Sequence, residues 1–284
     1  MDLAAEINNN VSQALAEDVG TGDLTTLLVP SEESVTANII CHEKAVLCGI
    51  QWFEACFQQF SPSTEVRWVA HEGEMIYAGQ ELCKIKGNAR ALLTAERSAL
   101  NFLQTLSAVA TQTQYYVNAV LKTGAIIVDT RKTLPGLRLA QKYAVKCGGG
   151  MNHRLGLYDG ILIKENHIMA AGGIEQVLHA AKEIASKDTL IQIEVETRDE
   201  LLKALNVGVK MILLDNFDLA ELQYAVALTA QLTNKQTVLE ASGGITLENV
   251  RKIAETGVDR ISIGSITKDI KAIDLSMNFF SPYN

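Results

Sequence analysis

Leu190-Ile191-Gln192-Ile193-Glu194-Val195, a helical segment over 199–206, then Met211-Ile212-Leu213-Leu214-Asp215: this one unit decides the fold. Both outer runs are short and almost continuously apolar, the pattern of strands buried on two faces. A strand, a crossover helix and a second strand imply parallel pairing. Working outward, the unit recurs. Apolar runs fall at 126–129, 161–164, 238–241 and 261–264, and helical periodicity at 174–186, 219–228 and 247–255. Nearly every run delivers a chemically useful residue at its end: Asp129 leading to Arg131, then Lys164, Glu194, Asp215, Glu240 with Ser242, and Gly264. A (β/α) barrel builds its active site from those strand ends. Six runs are clear where a closed barrel has eight, so either the rest lie in the basic stretch of 129–167 or the barrel is incomplete.

Upstream the pattern differs. A helix is expected over 11–17, followed by a turn-rich loop from Asp18 to Thr25. Strands over 35–41, 45–47, 66–70 and 82–85, with a helix over 52–60 and turns at Gly73 and Gly79, describe a small mixed α/β layer. Its hairpin resembles a biotin or lipoate half-barrel, but no Lys occupies the tip. Residues 89–122 have helical periodicity and are read as one or two long linking helices. Glu96-Arg97 near the middle is either a solvated pair or, with Asn101, Gln104 and Thr105, part of a polar stripe facing a subunit partner. The expected domains are therefore an N-terminal α/β sandwich over 1–112, with 270–284 returning to it, and a barrel over 113–269.

Composition narrows the function classes. The 284 residues are 48% hydrophobic and 20% charged with four prolines, the profile of an ordered globular protein. No run approaches the roughly 20 apolar residues of a membrane span, and the first residues lack a basic start and apolar core of a secretory signal. Five cysteines, odd in number and without a Cys-x-x-Cys pair, support neither a disulfide framework nor a zinc knuckle. Reduced thiols and a cytoplasmic location are expected. A formal charge of -8 argues against nucleic acid as the main partner.

Against that balance, residues 129–167 carry seven basic side chains (Arg131, Lys132, Arg138, Lys142, Lys146, Arg154, Lys164) and three acidic ones, threaded with glycines. A solvated basic face would account for any single lysine. The whole stretch fits an anionic small ligand better, since guanidinium groups pair with carboxylate or phosphate oxygens and glycines let backbone N–H groups approach them. Two late turns, Ser242-Gly243-Gly244-Ile245 and Ile263-Gly264-Ser265-Ile266, are where barrels often hold phosphate. Glu194 and Asp215 end adjacent strands and suit Mg²⁺ or ribose hydroxyls, with paired acid/base work as the competing role; Glu196 joins them if the strand continues. His153, beside Arg154 in a basic loop, is read as a ligand contact rather than a core histidine.

Three blocks then become specific: Asp129-Thr130-Arg131-Lys132-Thr133-Leu134-Pro135-Gly136-Leu137-Arg138; Lys146-Cys147-Gly148-Gly149-Gly150-Met151-Asn152-His153-Arg154-Leu155-Gly156-Leu157; and Ile163-Lys164-Glu165-Asn166-His167. With Glu96-Arg97-Ser98-Ala99-Leu100-Asn101, Glu194-Val195-Glu196, Leu214-Asp215-Asn216-Phe217 and the Ser242 turn, their order and spacing resemble the quinolinate phosphoribosyltransferase family over essentially the whole chain. The resemblance implies synthesis of nicotinate mononucleotide from quinolinate and phosphoribosyl pyrophosphate in NAD biosynthesis, with release of pyrophosphate and CO₂. It implies an open barrel of about seven strands, an N-terminal sandwich, and a homodimer with shared active sites or a higher assembly built on it. It places Arg131, His153, Arg154 and Lys164 on quinolinate, with Arg97 arriving from the other subunit. Lys132, Glu194, Asp215, Ser242, Gly243 and Gly264 would hold the phosphoribosyl donor and Mg²⁺, with Thr130, Gly244, Ser265 and Lys268 completing the set. Lys132, Lys164, Glu194 and Asp215 would be catalytic, the last also a metal ligand with Glu194. One departure stands out, because the family commonly has His where this chain has Lys268. Rival classes remain a Schiff-base lyase using Lys164, a non-catalytic sensor of phosphorylated ligands, and a relative acting on nicotinate.

Overall fold

The computed structural model describes residues 2–280. In chain order the first elements are α1 (Leu3–Val19), β1 (Ser34–Cys41), β2 (Ala45–Val46), α2 (Ile50–Phe60), β3 (Glu65–Trp68), β4 (Met75–Ile76), β5 (Glu81–Asn88) and α3 (Ala89–Ala119). There follow β6 (Ile126–Val128), α4 (Arg138–Cys147), β7 (Gly160–Ile163), α5 (Glu165–Ala171), α6 (Ile174–Ile184), β8 (Leu190–Val195) and α7 (Arg198–Asn206). The last are β9 (Met211–Asp215), α8 (Leu219–Thr233), β10 (Val238–Ser242), α9 (Val250–Ala254), β11 (Arg260–Ser262), α10 (Ser265–Lys268) and β12 (Leu275–Phe279). The chain forms two compact units, one of residues 1–114, 133–149 and 267–284, the other of 115–132 and 150–266.

The first unit is built on an antiparallel sheet in the order β12-β1-β5-β3, with β2 and β4 as a separate small pair. Alternation along β1 and β5 sends Ala37, Ile39, Cys41, Cys83 and Ile85 inward. Trp52, Phe53 and Phe57 of α2 are buried, with the Trp52 indole donating to Asn10 Oδ1 at 3.1 Å and its ring 5.3 Å from that of Tyr143. On α3, Thr111 and Ser107 hydroxyls accept the Val46 and Cys48 amides at 2.8 and 2.9 Å, so these two buried donors are satisfied. All five cysteines are free, four of them buried.

Gly148 marks the tightest approach in this unit. A Cβ there would collide with the Ala110 carbonyl oxygen and lie 2.8 Å from Thr113 Cβ. Its backbone is ordinary (φ -77), so the constraint is space rather than conformation. Gly148→Ala should therefore cost about 1–3 kcal/mol through overpacking, read as a lower denaturation midpoint at unchanged slope; an unaltered midpoint would mean that α3 yields freely.

The second unit carries a six-stranded parallel sheet in the order β6-β11-β10-β9-β8-β7. Chain order and sheet order coincide from β7 to β11, after which β6 closes the row, as in a barrel opened between its first strands. A seventh strand is reduced to one bridge: Met151 pairs in parallel with Val128, its amide donating to Ile127 O at 2.9 Å. One missing strand thus lies in the basic stretch, and the row of strands is open between β6 and β7. Helices begin promptly after the strands because side chains cap them. Thr197 accepts the Glu200 amide at 3.2 Å and Asp218 the Glu221 amide at 2.8 Å, each within a reciprocal capping box.

Most expected elements appear with shifted ends, and α3 is one continuous helix of 31 residues. The first helix starts at Leu3, eight residues earlier than read, because Asp2 caps it by accepting the Ala5 amide at 3.1 Å. Five elements have no counterpart in the sequence pattern: the short β4 and α10, and α4, α5 and β12. The inner face of α4 includes Gln141 and Lys142, so its apolar period is weak; α5 buries no residue at all; β12 is a five-residue edge strand that buries only Leu275.

Candidate active site

Parallel register sets the site. Glu194 of β8 lies level with Leu213 of β9, Leu213 with Glu240 of β10, and Glu240 with Arg260 of β11. Two residues on, Ser242 pairs with Asp215. A cavity of about 280 Å³ opens at these strand ends, lined by Thr130, Arg131, Lys132, His153, Arg154, Leu162, Lys164, Glu194, Leu213, Glu240, Ser242 and Ser262.

Its basic side is held from behind. Buried Asp129 accepts the His153 amide through Oδ1 at 2.9 Å, while its own amide donates to Met151 O at 3.1 Å. The loop that follows is wound around Asp159, which accepts the amides of Leu155 and Gly156 at 2.7 and 2.9 Å. Arg154 Nη1 donates to Gly160 O at 3.0 Å. Burial, and next the neighbouring Arg131 guanidinium, pull Arg154 below its ordinary value, with Asp159 opposing them. Two guanidinium groups crowded at a cavity wall are favoured by an anion between them.

The acidic side is equally crowded. Carboxylate oxygens of Glu194, Glu196 and Asp215 lie within 4.8 Å of one another. Burial, and then the Glu194 charge, raise Asp215 above the usual carboxylate range, with Lys164 and Lys132 working against the shift. Lys164 Nζ is 2.6 Å from Glu194 Oε2, joining the two sides of the cavity. The donor set is all oxygen with excess negative charge, which is the chemistry of a hard divalent cation such as Mg²⁺.

The glycine turns adjoin this cluster. Gly243 has φ +96, and a Cβ there would collide with Asn216 Oδ1. Asn216 (φ 56) donates its amide to Ser242 O at 2.9 Å and its side chain to Asp215 Oδ2 at 3.0 Å, so the Gly243 turn and Asp215 are tied together. Gly244 (φ +56) continues the turn, its carbonyl accepting from Asn249 Nδ2 at 2.9 Å. Gly264 sits against Lys132 and Thr130, where a Cβ would be 3.1 Å from Lys132 Cδ and 3.5 Å from Thr130 Oγ1. Ser265 begins α10 with a buried hydroxyl that has no hydrogen-bond partner among the described residues.

Of the residues singled out from sequence, the structure brings Thr130, Arg131, Lys132, His153, Arg154, Lys164, Glu194 and Ser242 into one cavity, with Asp215 beside Glu194 and Gly264 against Lys132. Arg97, exposed on α3, and Lys268, exposed at the end of α10, belong to the other compact unit. Glu240 ended a recognised run but was given no role; it is fully buried at the cavity. Gln192 and Arg260 were also missed. Period-two spacing was the available signal, since Gln192 and Glu240 each precede a site residue of the same strand by two.

The family model described as Quinolinate phosphoribosyl transferase, C-terminal domain, matches residues 109–278, and that for the N-terminal domain matches 23–107. The Bacillus subtilis protein named a probable nicotinate-nucleotide pyrophosphorylase (carboxylating) is 39% identical over 92% of this chain and 89% of its own length. An Arabidopsis thaliana chloroplastic nicotinate-nucleotide pyrophosphorylase (carboxylating) is 38% identical over 94% of this chain and 81% of its own. The solved nicotinate-nucleotide pyrophosphorylase of Francisella tularensis superposes with a TM-score of 0.92 at 41% identity, covering 97% of this chain and 96% of that one. Among the described residues no helix is long and apolar enough to cross a membrane.

Proposed function

Because the chain belongs to the quinolinate phosphoribosyltransferase family, we propose that its barrel cavity joins quinolinate to phosphoribosyl pyrophosphate, forming nicotinate mononucleotide, pyrophosphate and CO₂ in NAD biosynthesis. The observation that carries this reading is the meeting of Arg131, Arg154 and Lys164 with Glu194 and Asp215 around one cavity. Quinolinate has two adjacent carboxylates, and a dianion leaving water needs several cations. Its ring nitrogen is already nucleophilic, so no activated Ser or Cys is required. Arg131, Arg154 and Lys164 bind and orient the diacid. Lys164, its ammonium engaged by Glu194, holds the acidic cluster against the basic wall; that pairing does not suit an imine-forming lyase.

Lys132 with Thr130 and Gly264, and the Ser242–Gly244 turn, bind the phosphates of the donor. Glu194 and Asp215, with Glu196 beside them, would hold Mg²⁺, which when bound offsets charge on the departing pyrophosphate. The two carboxylates also favour positive charge at the anomeric carbon as the bond to pyrophosphate lengthens. Once ribosylated, the cationic ring nitrogen stabilises the electron pair left at the neighbouring carbon when its carboxylate departs as CO₂, and a proton from solvent then completes the product. Positioning and charge thus account for the reaction. The direct test is a coupled assay offering quinolinate and nicotinate in parallel. Nicotinate mononucleotide from quinolinate alone supports the reading; turnover of nicotinate alone would replace it.

The site is completed in a homodimer, in which Arg97 of the partner subunit reaches the diacid. Exposure of this cation on α3, in a unit other than the barrel, supports that arrangement. Mixing inactive Arg97→Ala with inactive Lys164→Ala chains should restore up to about a quarter of wild-type activity, because shared sites can pair two intact halves. No recovery despite verified subunit exchange would contradict sharing. A cytosolic location is supported by the five unpaired thiols.

A further inference from the structure

Gln192 and Glu240 are buried against His153, with Arg260 on the far oxygen of Glu240, and the reaction described above gives them no task. The imidazole fixes how they are to be read. A backbone amide can only donate, and the Arg154 amide lies 2.8 Å from His153 Nδ1, so Nδ1 presents a lone pair and the ring proton sits on Nε2. That Nε2–H meets Gln192 Oε1 at 2.8 Å, with Glu240 Oε1 3.6 Å from the same nitrogen. A neutral amide acceptor satisfies the N–H without drawing a second proton to the ring, whereas a carboxylate favours imidazolium.

Glu240 is 0% exposed, yet its carboxylate is restrained: Arg260 Nε lies 3.2 Å from its other oxygen. The other charged neighbours pull both ways, buried Asp129 towards the imidazolium and the two guanidiniums against it. Asp129 Oδ1 is occupied by the backbone amide of His153 rather than its ring, and the Arg131 and Arg154 guanidiniums on the cavity wall oppose a further cation. We propose that Gln192 and Glu240, the latter neutralised by Arg260, are positioning residues that hold His153 as the neutral Nε2–H imidazole. Its Nδ1 lone pair then anchors the Arg154 amide, and the ring adds no positive charge to the diacid site. Imidazolium would set two N–H groups face to face at Nδ1 and displace Arg154. The substrate in this inference is that of the proposed function, but the protonation state does not depend on it.

Nitrogen-15 imidazole spectra of the intact protein at neutral pH, with His153 assigned by its loss in His153→Gln, test the idea. One pyridine-like and one pyrrole-like nitrogen, with the proton on Nε2, are expected. Gln192→Leu leaves Nε2–H facing Glu240 alone. It should convert His153 to imidazolium and raise the KM for quinolinate about tenfold, with kcat within about threefold. The double variant Gln192→Leu/Glu240→Gln should regain the neutral signature and lower KM again. Imidazolium or an Nδ1–H ring in the wild type overturns the proposal, as does a Gln192→Leu spectrum identical to wild type whatever KM does, since a merely structural role would move KM alone. Were quinolinate not the substrate, the spectra would still decide the tautomer.

Discussion

Asp215→Asn is expected to lower kcat by about a hundredfold or more while leaving the quinolinate KM within about threefold. Asp215 ends β9 among Glu194 and Glu196, and its carboxyl is already raised by burial and by Glu194. Charge confined in this way has most to do when a cationic anomeric carbon and a departing pyrophosphate develop together. The amide keeps the shape but removes the charge, so the loss should fall on turnover rather than on capture of the diacid. Rates measured against Mg²⁺ concentration check this. An unchanged Mg²⁺-dependent rate would remove Asp215 from the chemistry, and an unchanged melting temperature would show that a lost rate is not a lost fold.

The second large effect concerns the opposite wall. Arg131→Ala should raise the quinolinate KM by about a hundredfold, the usual cost of truncating one partner of a desolvated charge pair, with the donor KM within about threefold. Arg131 lies close enough to Arg154 to depress it, so in the proposed role the two guanidiniums share one ligand. Removing Arg131 relieves its repulsion of Arg154, and a melting temperature measured alongside separates lost binding from lost fold. Calorimetry with each ligand separately distinguishes this from a general collapse of the cavity: equal weakening of quinolinate and donor would contradict a dedicated role.

Both predictions rest on a barrel that was largely readable in advance. Continuous apolar runs such as Met211 to Leu214 carry their burial on their face, and each ends where the chain must turn at the barrel mouth. That rule alone delivered Lys164, Glu194, Asp215 and Ser242. The interior row was harder. Gln192 and Glu240 are polar residues inside strands, legible only by counting back two from a known site residue, and Arg260 opens its strand. Helices α4 and α5 were hidden because period 3.6 is visible only when the buried face is apolar, and here it is mixed or missing. The seventh strand, shrunk to the Met151 bridge, left no pattern to detect. Arg97 and Lys268 show a different limit: motif matching attaches them to the site, while the barrel unit is assembled without either.

The central claim is one cavity with a basic wall for a pyridine diacid and an acidic rim for an activated sugar. A crystal structure of the protein with quinolinate, Mg²⁺ and a non-reactive phosphoribosyl donor analogue tests it most directly. Both quinolinate carboxylates should lie on Arg131, Arg154 and Lys164, with the cation at Glu194 and Asp215 and the phosphates at the Ser242–Gly244 turn. Quinolinate seated elsewhere, or a donor analogue whose ribose lies away from Glu194 and Asp215, would contradict it.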